Sequence, residues 1–417
     1  MSLKPMPTLI LLLLVCASAV IAPGAESSGH GAGHAHAAGP SAANDLRADA
    51  AFDANGRLWM VRHQAGFIEV RSTRDLGRNW SPPVRVNAQP EEIDPGGDAR
   101  PKILPTLDGK LFVSWTRPLA KPYTGEIRFA RTVDGGRSFE TPRTVHRDQA
   151  EITHRFDSLA LDREGRLFVA WIDKRDAVAA AASGRSYRGA ALYFAVSSDG
   201  GATFAGDFKA AENTCECCRI ALTPSPDGGV LALWRHIFEP NVRDHALAHL
   251  KPDGSVGKMA RATFDDWRVN ACPHHGPSLA CDERGALHAV WFTATESGGG
   301  RAVYGRVMPG ASPEAIHPLG GRLAAHADLA LAGGKIVAVW KEFASGSNQL
   351  RALVSSDDGR SWRDVTLAES AGPCSQPRVL NHQGRMFAFW NTGTGPAVIP
   401  VNTADSPTRG TTSKLSP

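Results

Sequence analysis

The chain has 417 residues and a formal net charge of +4, with 10 tryptophans but only 4 tyrosines. The small positive excess is scattered and does not form the basic patch that nucleic acid requires, so nucleic acid is excluded as the expected partner. The 42 glycines and 28 prolines are typical of folds in which many short strands are joined by turns.

The first 25 residues have the features of a signal peptide. Lys4 supplies the positive start, residues 9–22 form the apolar stretch, and small residues precede a cleavage point after Ala22 or Ala25. This stretch is short for a membrane-spanning helix, and no later segment is long and apolar enough to replace it. The sequence therefore predicts a periplasmic or secreted protein with no membrane span in the mature chain.

Residues 26–43 are rich in glycine, alanine and serine and carry His30, His34 and His36. Such a composition cannot bury a core, so this segment is predicted to be a disordered linker. Its imidazoles are also ligands for copper and other transition metals, and a metal-catching tail is the alternative interpretation.

One short pattern recurs along the rest of the chain: a turn glycine followed by an apolar run that usually ends at tryptophan. The copies lie roughly 50 to 63 residues apart, as expected of a repeat fold. Each run is bounded by turn signals and has the length of a buried strand. The seven copies are GRLWMVR from Gly56, GKLFVSW from Gly109, GRLFVAW from Gly165, GGVLALW from Gly228, GALHAVW from Gly285, GKIVAVW from Gly334 and GRMFAFW from Gly384.

A second apolar stretch precedes each run, and the two predict a hairpin of strands A and B. In four units a further motif follows, with the pattern Ser/Thr-x-Asp-x-Gly-x-x-Trp/Phe. It is a turn in which the carboxylate accepts backbone N–H groups, glycine supplies an unusual backbone angle, and the aromatic ring packs on the sheet. The motif aspartates are therefore predicted to be structural: Asp75, Asp134, Asp199 and Asp357.

The motif resembles the Asp box, or BNR repeat, of sialidases and related β-propellers. The resemblance covers residues 44–402 and implies an all-β propeller of four-stranded blades. Seven strand-B runs favour seven blades, whereas six, the number in family sialidases, is the alternative. We expect the segment near residues 44–55 to complete the seventh blade, and residues 403–417 to form a disordered tail.

Sialidase activity is the enzymatic function that this resemblance implies. The family uses three arginines for the substrate carboxylate, a tyrosine–glutamate nucleophile and an aspartate acid/base. The Phe/Tyr-Arg-Ile-Pro signature is absent here, and no tyrosine follows Tyr304. The sequence thus leaves open whether the protein is an enzyme, and the candidates for a glycosidase site are Arg100, Arg155, Arg378 and Asp157.

Cysteine and histidine recur at equivalent places before the A strands. Ten residues before the turn glycine stand Arg155, Cys218, His275 and Cys374 in four different units. Blade symmetry should bring such positions together around the central axis. The candidate metal ligands selected on this basis are Cys215, Cys217, Cys218, Cys272, His274, His275, His326 and Cys374.

Thiolate and imidazole are ligands for soft and borderline metals, which favours copper, with zinc as the alternative. Disulfides are the competing interpretation: Cys215 could pair with Cys272, and Cys217 or Cys218 with Cys374. The sequence favours a non-catalytic propeller that binds a transition metal, or another small ligand, at its axial mouth for metal handling or for binding a periplasmic protein. The alternatives are an exo-sialidase and a disulfide-stabilised interaction platform.

Overall fold

The structure, a computed structural model, describes residues 46–94, 96–294, 299–403 and 413–414. The predicted signal peptide and the histidine-containing linker lie outside these residues. Seven sheets follow one another along the chain, and each is built around antiparallel strands that are consecutive in sequence. This arrangement is a seven-bladed β-propeller, which confirms the predicted fold class and the larger of the two blade numbers.

The first three blades each contain four strands. Blade 1 consists of β1 (Ala48–Phe52), β2 (Leu58–Gln64), β3 (Phe67–Thr73) and β4 (Val84–Arg85). Blade 2 consists of β5 (Lys102–Pro105), β6 (Leu111–Pro118), β7 (Gly125–Thr132) and β8 (Arg143–Thr144). Blade 3 consists of β9 (His154–Leu161), β10 (Leu167–Asp173), β11 (Ala190–Ser197) and β12 (Ala205–Thr214).

The next two blades repeat this order. Blade 4 consists of β13 (Ala221–Pro224), β14 (Val230–Arg235), β15 (His245–Leu250) and β16 (Ala260–Arg261). Blade 5 consists of β17 (Ser278–Cys281), β18 (Leu287–Thr293), β19 (Arg301–Met308) and β20 (Ala311–Leu319).

The last two blades depart slightly from the pattern. Blade 6 consists of β21 (Ala325–Ala332), β22 (Lys335–Ala344), β23 (Ser347–Ser355) and β24 (Arg363–Ser370). A short strand from the C-terminal segment, β28 (Ser413–Lys414), pairs in parallel with β24. Blade 7 has three strands in the described part of the chain: β25 (Arg378–His382), β26 (Arg385–Thr392) and β27 (Gly395–Val401).

The ring closes by packing between blade 7 and blade 1. A cluster of buried apolar residues lies between each pair of neighbouring blades, and one of these clusters joins Leu380 and Phe389 of blade 7 to Ala50 and Met60 of blade 1. The expectation that residues 44–55 complete the seventh blade is therefore wrong. Residues 48–52 form β1, the innermost strand of blade 1, because their apolar side chains match the A-strand position of that hairpin.

The second strand of every blade is buried on both faces, as its near-continuous apolar sequence predicts. Six of these strands carry a tryptophan that is at most 2% exposed. Most of the indole N–H groups find an acceptor, for example the Asp173 carboxylate 2.8 Å from Trp171 and the Ser375 carbonyl 3.1 Å from Trp390. The six tryptophans are Trp115, Trp171, Trp234, Trp291, Trp340 and Trp390.

One helix, α1 (Arg175–Ala182), interrupts the loop between β10 and β11 and was not expected from the repeat. Its sequence contains an alanine run, and alanine has the highest helix propensity. No helix in the described residues has the length and apolar character needed to cross a bilayer.

The four Ser/Thr-x-Asp-x-Gly turns join the third and fourth strands of blades 1, 2, 3 and 6 and share one hydrogen-bond pattern. In blade 1 the Thr73 hydroxyl donates to Asp75 at 2.6 Å, the Gly77 N–H donates to Thr73 at 3.2 Å, and the Asn79 N–H donates to Asp75 at 2.9 Å. The same bonds recur at the other three turns. These aspartates cap turns on the face opposite the loops that precede the A strands.

Candidate metal centre

Two loops on one face of the propeller carry the cysteine-rich segments. The first, residues 215–220, connects β12 of blade 3 to β13 of blade 4. The second, residues 262–277, connects β16 of blade 4 to β17 of blade 5. Both loops therefore lead into innermost strands of adjacent blades, and blade symmetry brings them together as the sequence predicted.

The first loop holds three thiols close together. The sulfur of Cys217 lies 3.7 Å from that of Cys215 and 3.8 Å from that of Cys218. All three side chains are buried, with exposed fractions of 1 to 4%. The Cys215 N–H donates to the Arg235 carbonyl at 2.9 Å, which fixes the start of the loop against β14.

The second loop adds one thiol and one imidazole to this group. Cys217, Cys272 and His274 have ligand atoms that all lie within 4.8 Å of one another, and so do those of Cys215, Cys217 and Cys218. Cys272 and His274 are exposed, in contrast to the three thiols of the first loop. We call the five residues Cys215, Cys217, Cys218, Cys272 and His274 the cysteine cluster.

The thiols of the cysteine cluster affect one another's protonation. Hydrogen bonds from Cys217, Cys218 and Cys272 lower the pKa of Cys215 well below its ordinary value, and the Arg243 guanidinium acts in the same direction. The hydrogen bond to Cys215 raises the pKa of Cys272 to about 11, and the pKa of Cys217 is raised for the same reason. The arrangement thus favours one thiolate, at Cys215, that the other thiols solvate.

Asp98 connects the two loops. It belongs to a short 3-10 turn, Gly97–Ala99, that precedes β5. One carboxylate oxygen accepts the backbone N–H groups of Arg219, at 3.2 Å, and Gly276, at 2.8 Å. The other accepts the Arg219 guanidinium at 3.0 Å. Burial alone would raise the pKa of Asp98, but Arg219 and His326 lower it well below its ordinary value.

Arg219 connects the first loop to two further blades, since its guanidinium also donates to backbone carbonyls at the start of their innermost strands. These acceptors are Pro277 of blade 5, at 3.1 Å, and Ala327 of blade 6, at 2.6 Å. Because Arg219 directly follows Cys218, its position fixes the end of the cysteine segment. Sequence reasoning missed both Asp98 and Arg219.

The remaining predicted ligands lie outside the cysteine cluster. His275 stacks on Phe292, with ring centroids 4.1 Å apart, and its ring centroid is 4.5 Å from that of His326. His326 in turn shares a 2.8 Å contact with Gln376. Cys374 is half-buried beside the apolar cluster between blades 6 and 7. The equivalent positions in different blades thus lie on the same face of the propeller, but their side chains do not all belong to one group of potential metal ligands.

All six described cysteines are free thiols, so neither proposed disulfide is formed in the structure. Cys281 is half-buried in β17, and its sulfur contacts the Asp282 carbonyl at 3.5 Å. It takes no part in the cysteine cluster.

The innermost strands, together with the loop that leads into β13, carry a second feature, a ring of polar side chains with one member for each blade. We call it the axial ring; its members are Asp49, Lys102, Asp157, Arg219, Ser278, Asp328 and Arg378. Arg378 contacts Asp49 at 2.8 Å and Asp328 at 3.1 Å, and Lys102 contacts Asp157 at 3.1 Å. These contacts join blade 7 to blades 1 and 6, and blade 2 to blade 3, so the ring ties the inner strands together.

Two of the predicted glycosidase residues, Asp157 and Arg378, are members of the axial ring. Asp157 is 0% exposed and accepts hydrogen bonds from Lys102, Ser114 and Thr116. Arg378 has the two carboxylate partners already described. Both side chains therefore serve contacts within the protein.

The other two arginine candidates are likewise engaged. Arg155 forms a two-point ion pair with Asp94, one contact being 2.9 Å. Arg100 is buried and donates to Gln376 at 2.8 Å, and burial lowers its pKa to about 10. Each of the four candidates therefore has hydrogen-bond or ion-pair partners within the protein.

A recurring acidic residue inside the A strands is the signal that could have revealed the axial ring. Asp49 in ADAAF, Asp157 in HRFDSLAL and Asp328 in AHADLALA interrupt stretches that are otherwise apolar on their inner positions. A buried carboxylate needs a cation, and the lysine and arginine at the corresponding places of β5 and β25 provide it.

The similarity of this chain to known proteins lies in its fold. No family model matches the chain, and no curated protein matches its sequence. An ulvan lyase of polysaccharide lyase family PL25, solved bound to -[GlcA(1-4)Rha3S]-, superposes with a TM-score of 0.52 and 11% identity, covering 85% of this chain and 92% of that chain.

Two further solved structures are similar. A protein of unknown function from Dyadobacter fermentans DSM 18053 has a TM-score of 0.52 and 13% identity, covering 85% of this chain and 97% of its own. The NanB sialidase from Streptococcus pneumoniae has a TM-score of 0.45 and 11% identity, covering 72% and 65%. At such identities the likeness describes the propeller architecture alone.

Proposed function

We propose that the protein is an exported, non-catalytic propeller of the Asp-box type that binds a soft transition metal, with copper(I) favoured, at the cysteine cluster. The observation that carries the proposal is the convergence of four thiols and one imidazole from two loops of adjacent blades. Export rests on the signal-peptide features of residues 1–25, and the Asp-box assignment is supported by the common hydrogen-bond pattern of the four turns.

The spacing of the sulfurs suits a shared ion. A metal–sulfur bond of about 2.3 Å places two tetrahedral ligands about 3.8 Å apart. The sulfur separations of 3.7 and 3.8 Å around Cys217 are close to that value. Thiolate is the ligand that selects copper(I) and zinc over harder cations, and the buried surroundings of three of the four thiols favour an ion that needs few water ligands.

The exposure of two members of the cysteine cluster also favours a role in metal handling. Cys272 and His274 lie at the surface, where a donor or acceptor protein can reach a bound ion. The histidines of the predicted linker, His30, His34 and His36, offer further ligands for the same class of metal. Both features favour a role in the capture and exchange of metal, with a periplasmic protein as the partner.

Metal uptake by the reduced, purified mature protein tests the proposal. We expect copper(I) or zinc to bind near stoichiometrically, as measured by elemental analysis after desalting, with a parallel count of free thiols. Replacing Cys217 and Cys218 by serine and His274 and His275 by alanine should abolish uptake, because each ligand group then loses essential members.

The matched control replaces Cys281 and Cys374 by serine, since these two thiols lie outside the cysteine cluster, and should bind metal like the parent protein. Absence of bound metal in a parent protein whose thiols are all free, or equal uptake by both variants, contradicts the proposal. Release of sialic acid from a model glycoside, lost on changing Arg100 or Arg155, would establish the sialidase alternative instead.

A further inference from the structure

The cysteine cluster contains two ligand groups that share one sulfur. The inner group is Cys215, Cys217 and Cys218, and the outer group is Cys217, Cys272 and His274. All inner members are buried, whereas two of the three outer members are exposed. Thiolate sites for zinc have four ligands, and copper(I) accepts two to four, so the five ligand atoms exceed the needs of a single ion.

The positive charges of two arginines near the cysteine cluster bear on the number of metal ions that it can bind. Arg235 is 1% exposed, and among the described residues its guanidinium donates to the carbonyls of Arg243, His275 and Phe292. Arg243 donates to Asn241 and, at 3.5 Å, to the sulfur of Cys215. In the described part of the chain neither guanidinium has a carboxylate within 4.0 Å. A buried cation such as Arg235 is costly without an anion, and the sulfur that Arg243 contacts belongs to the group of side chains that can supply negative charge here.

The other charged side chains of the first loop are already paired. Glu216 contacts Lys174 at 2.5 Å, and Arg219 contacts Asp98 at 3.0 Å. When all four thiols are ionised, the two arginines neutralise half of their negative charge. The remainder calls for a metal charge of two, which two copper(I) ions supply together or one zinc(II) ion supplies alone.

We propose that the cysteine cluster is a dinuclear copper(I) centre in which the Cys217 thiolate bridges an inner and an outer ion. The inference rests on the proposed function and specifies its capacity. Binding displaces to solvent the protons that the thiols still carry, while copper keeps its oxidation state and no electron is transferred. Because Cys272 and His274 are exposed, the outer ion exchanges with external ligands, whereas the inner ion is retained.

Titration of the full mature protein with copper(I), under reducing and anaerobic conditions against a chromophoric copper(I) chelator, tests this inference. We expect two tightly bound copper(I) ions per chain but one zinc(II) ion, with a copper–copper shell in the X-ray absorption spectrum. The double variant Cys272→Ser/His274→Ala should keep one copper(I) and lose that shell. Its changes are at exposed positions, and near-UV circular dichroism verifies its fold.

Cys374→Ser is the matched control and should retain two copper(I) ions. One copper(I) per chain in the parent protein, or two ions that persist in the double variant, overturns the dinuclear centre and leaves the metal-binding function standing. Absence of any copper or zinc uptake overturns both proposals.

Discussion

The axial ring and the cysteine cluster lie on the same face of the propeller but differ in how their charges are balanced. In the ring, Asp49, Asp157 and Asp328 each contact a lysine or arginine of another blade. In the cluster, Arg243 donates to the sulfur of Cys215, Arg235 donates to backbone carbonyls, and neither guanidinium has a carboxylate partner among the described residues. The carboxylates of the ring are therefore balanced by cations of the protein itself, whereas the two arginines of the cluster lack a carboxylate and have thiols as the neighbouring groups that can ionise.

The largest expected effect comes from breaking the axial ring. Asp328→Ala removes the carboxylate that Arg378 and Ser278 contact. Among the described residues, the mostly buried Arg378 guanidinium then keeps Asp49 as its one carboxylate partner. Loss of one partner of a buried ion pair costs about 3–5 kcal/mol. We expect a decrease of that order in the free energy of unfolding, measured by chemical denaturation, with metal stoichiometry unchanged.

Asp364→Ala is the control for this change, because Asp364 pairs with Arg351 at the surface. A surface ion pair contributes at most about 1 kcal/mol. If the two variants lose equal stability, or if Asp328→Ala alters the metal content, the distinction between a structural ring and a binding cluster is wrong.

A smaller effect is expected at Asp98, where the two regions meet. Asp98→Asn keeps every metal ligand but weakens the carboxylate contacts to Arg219 and Gly276 that hold the two cysteine-bearing loops. Loss of such an outer-shell contact lowers metal affinity by about 10- to 100-fold. Copper(I) competition titration should show this decrease at unchanged stoichiometry.

Asp94→Asn provides the matched comparison for Asp98→Asn. Asp94 lies in the same connection before β5 and binds Arg155 instead of the cysteine loops. Its replacement should leave copper(I) affinity unchanged. An equal loss of affinity in both variants would show that Asp98 acts through general destabilisation of the mouth.

The sequence predicted the blades well because each strand-B run is apolar on both faces and bounded by turns. It also predicted that the segments around Cys217 and Cys272 meet, since equal offsets from the turn glycine correspond to equivalent places in neighbouring blades. It did not predict which side chains on that face share a ligand set. His275 turns toward Phe292 and His326, and Cys374 packs in an apolar cluster.

Those orientations depend on contacts between distant loops that no local pattern encodes. Asp98 comes from the loop before blade 2, and its partners Arg219 and Gly276 come from the loops before blades 4 and 5. The closure of the ring was mispredicted for a related reason. The hairpin partner of residues 48–52 is the following strand of blade 1, and the apolar contact with blade 7 is a packing contact between blades.

The smallest effect is expected at the Ser/Thr-x-Asp-x-Gly turns on the opposite face. Their aspartates are held by hydrogen bonds, as those of the axial ring are held by ion pairs, but the turns are exposed to solvent. The hydrogen bond from Thr73 is the main cause that lowers the pKa of Asp75 to about 2, and the N–H of Ser361 does the same for Asp357, also to about 2. An aspartate in an unfolded chain has a pKa of about 3.9. A depressed native pKa contributes stability that is present above the unfolded value and is lost as pH falls through the native value.

The difference in stability between the parent protein and Asp75→Asn or Asp357→Asn should therefore be constant above about pH 5 and shrink between about pH 4 and pH 2. Chemical denaturation across this range measures it. Metal affinity at neutral pH should be the same in all three proteins, because the turns lie on the face away from the cysteine cluster. A difference that persists unchanged at pH 2, or one that grows as the pH falls, would mean that the carboxylate charge does not stabilise these turns.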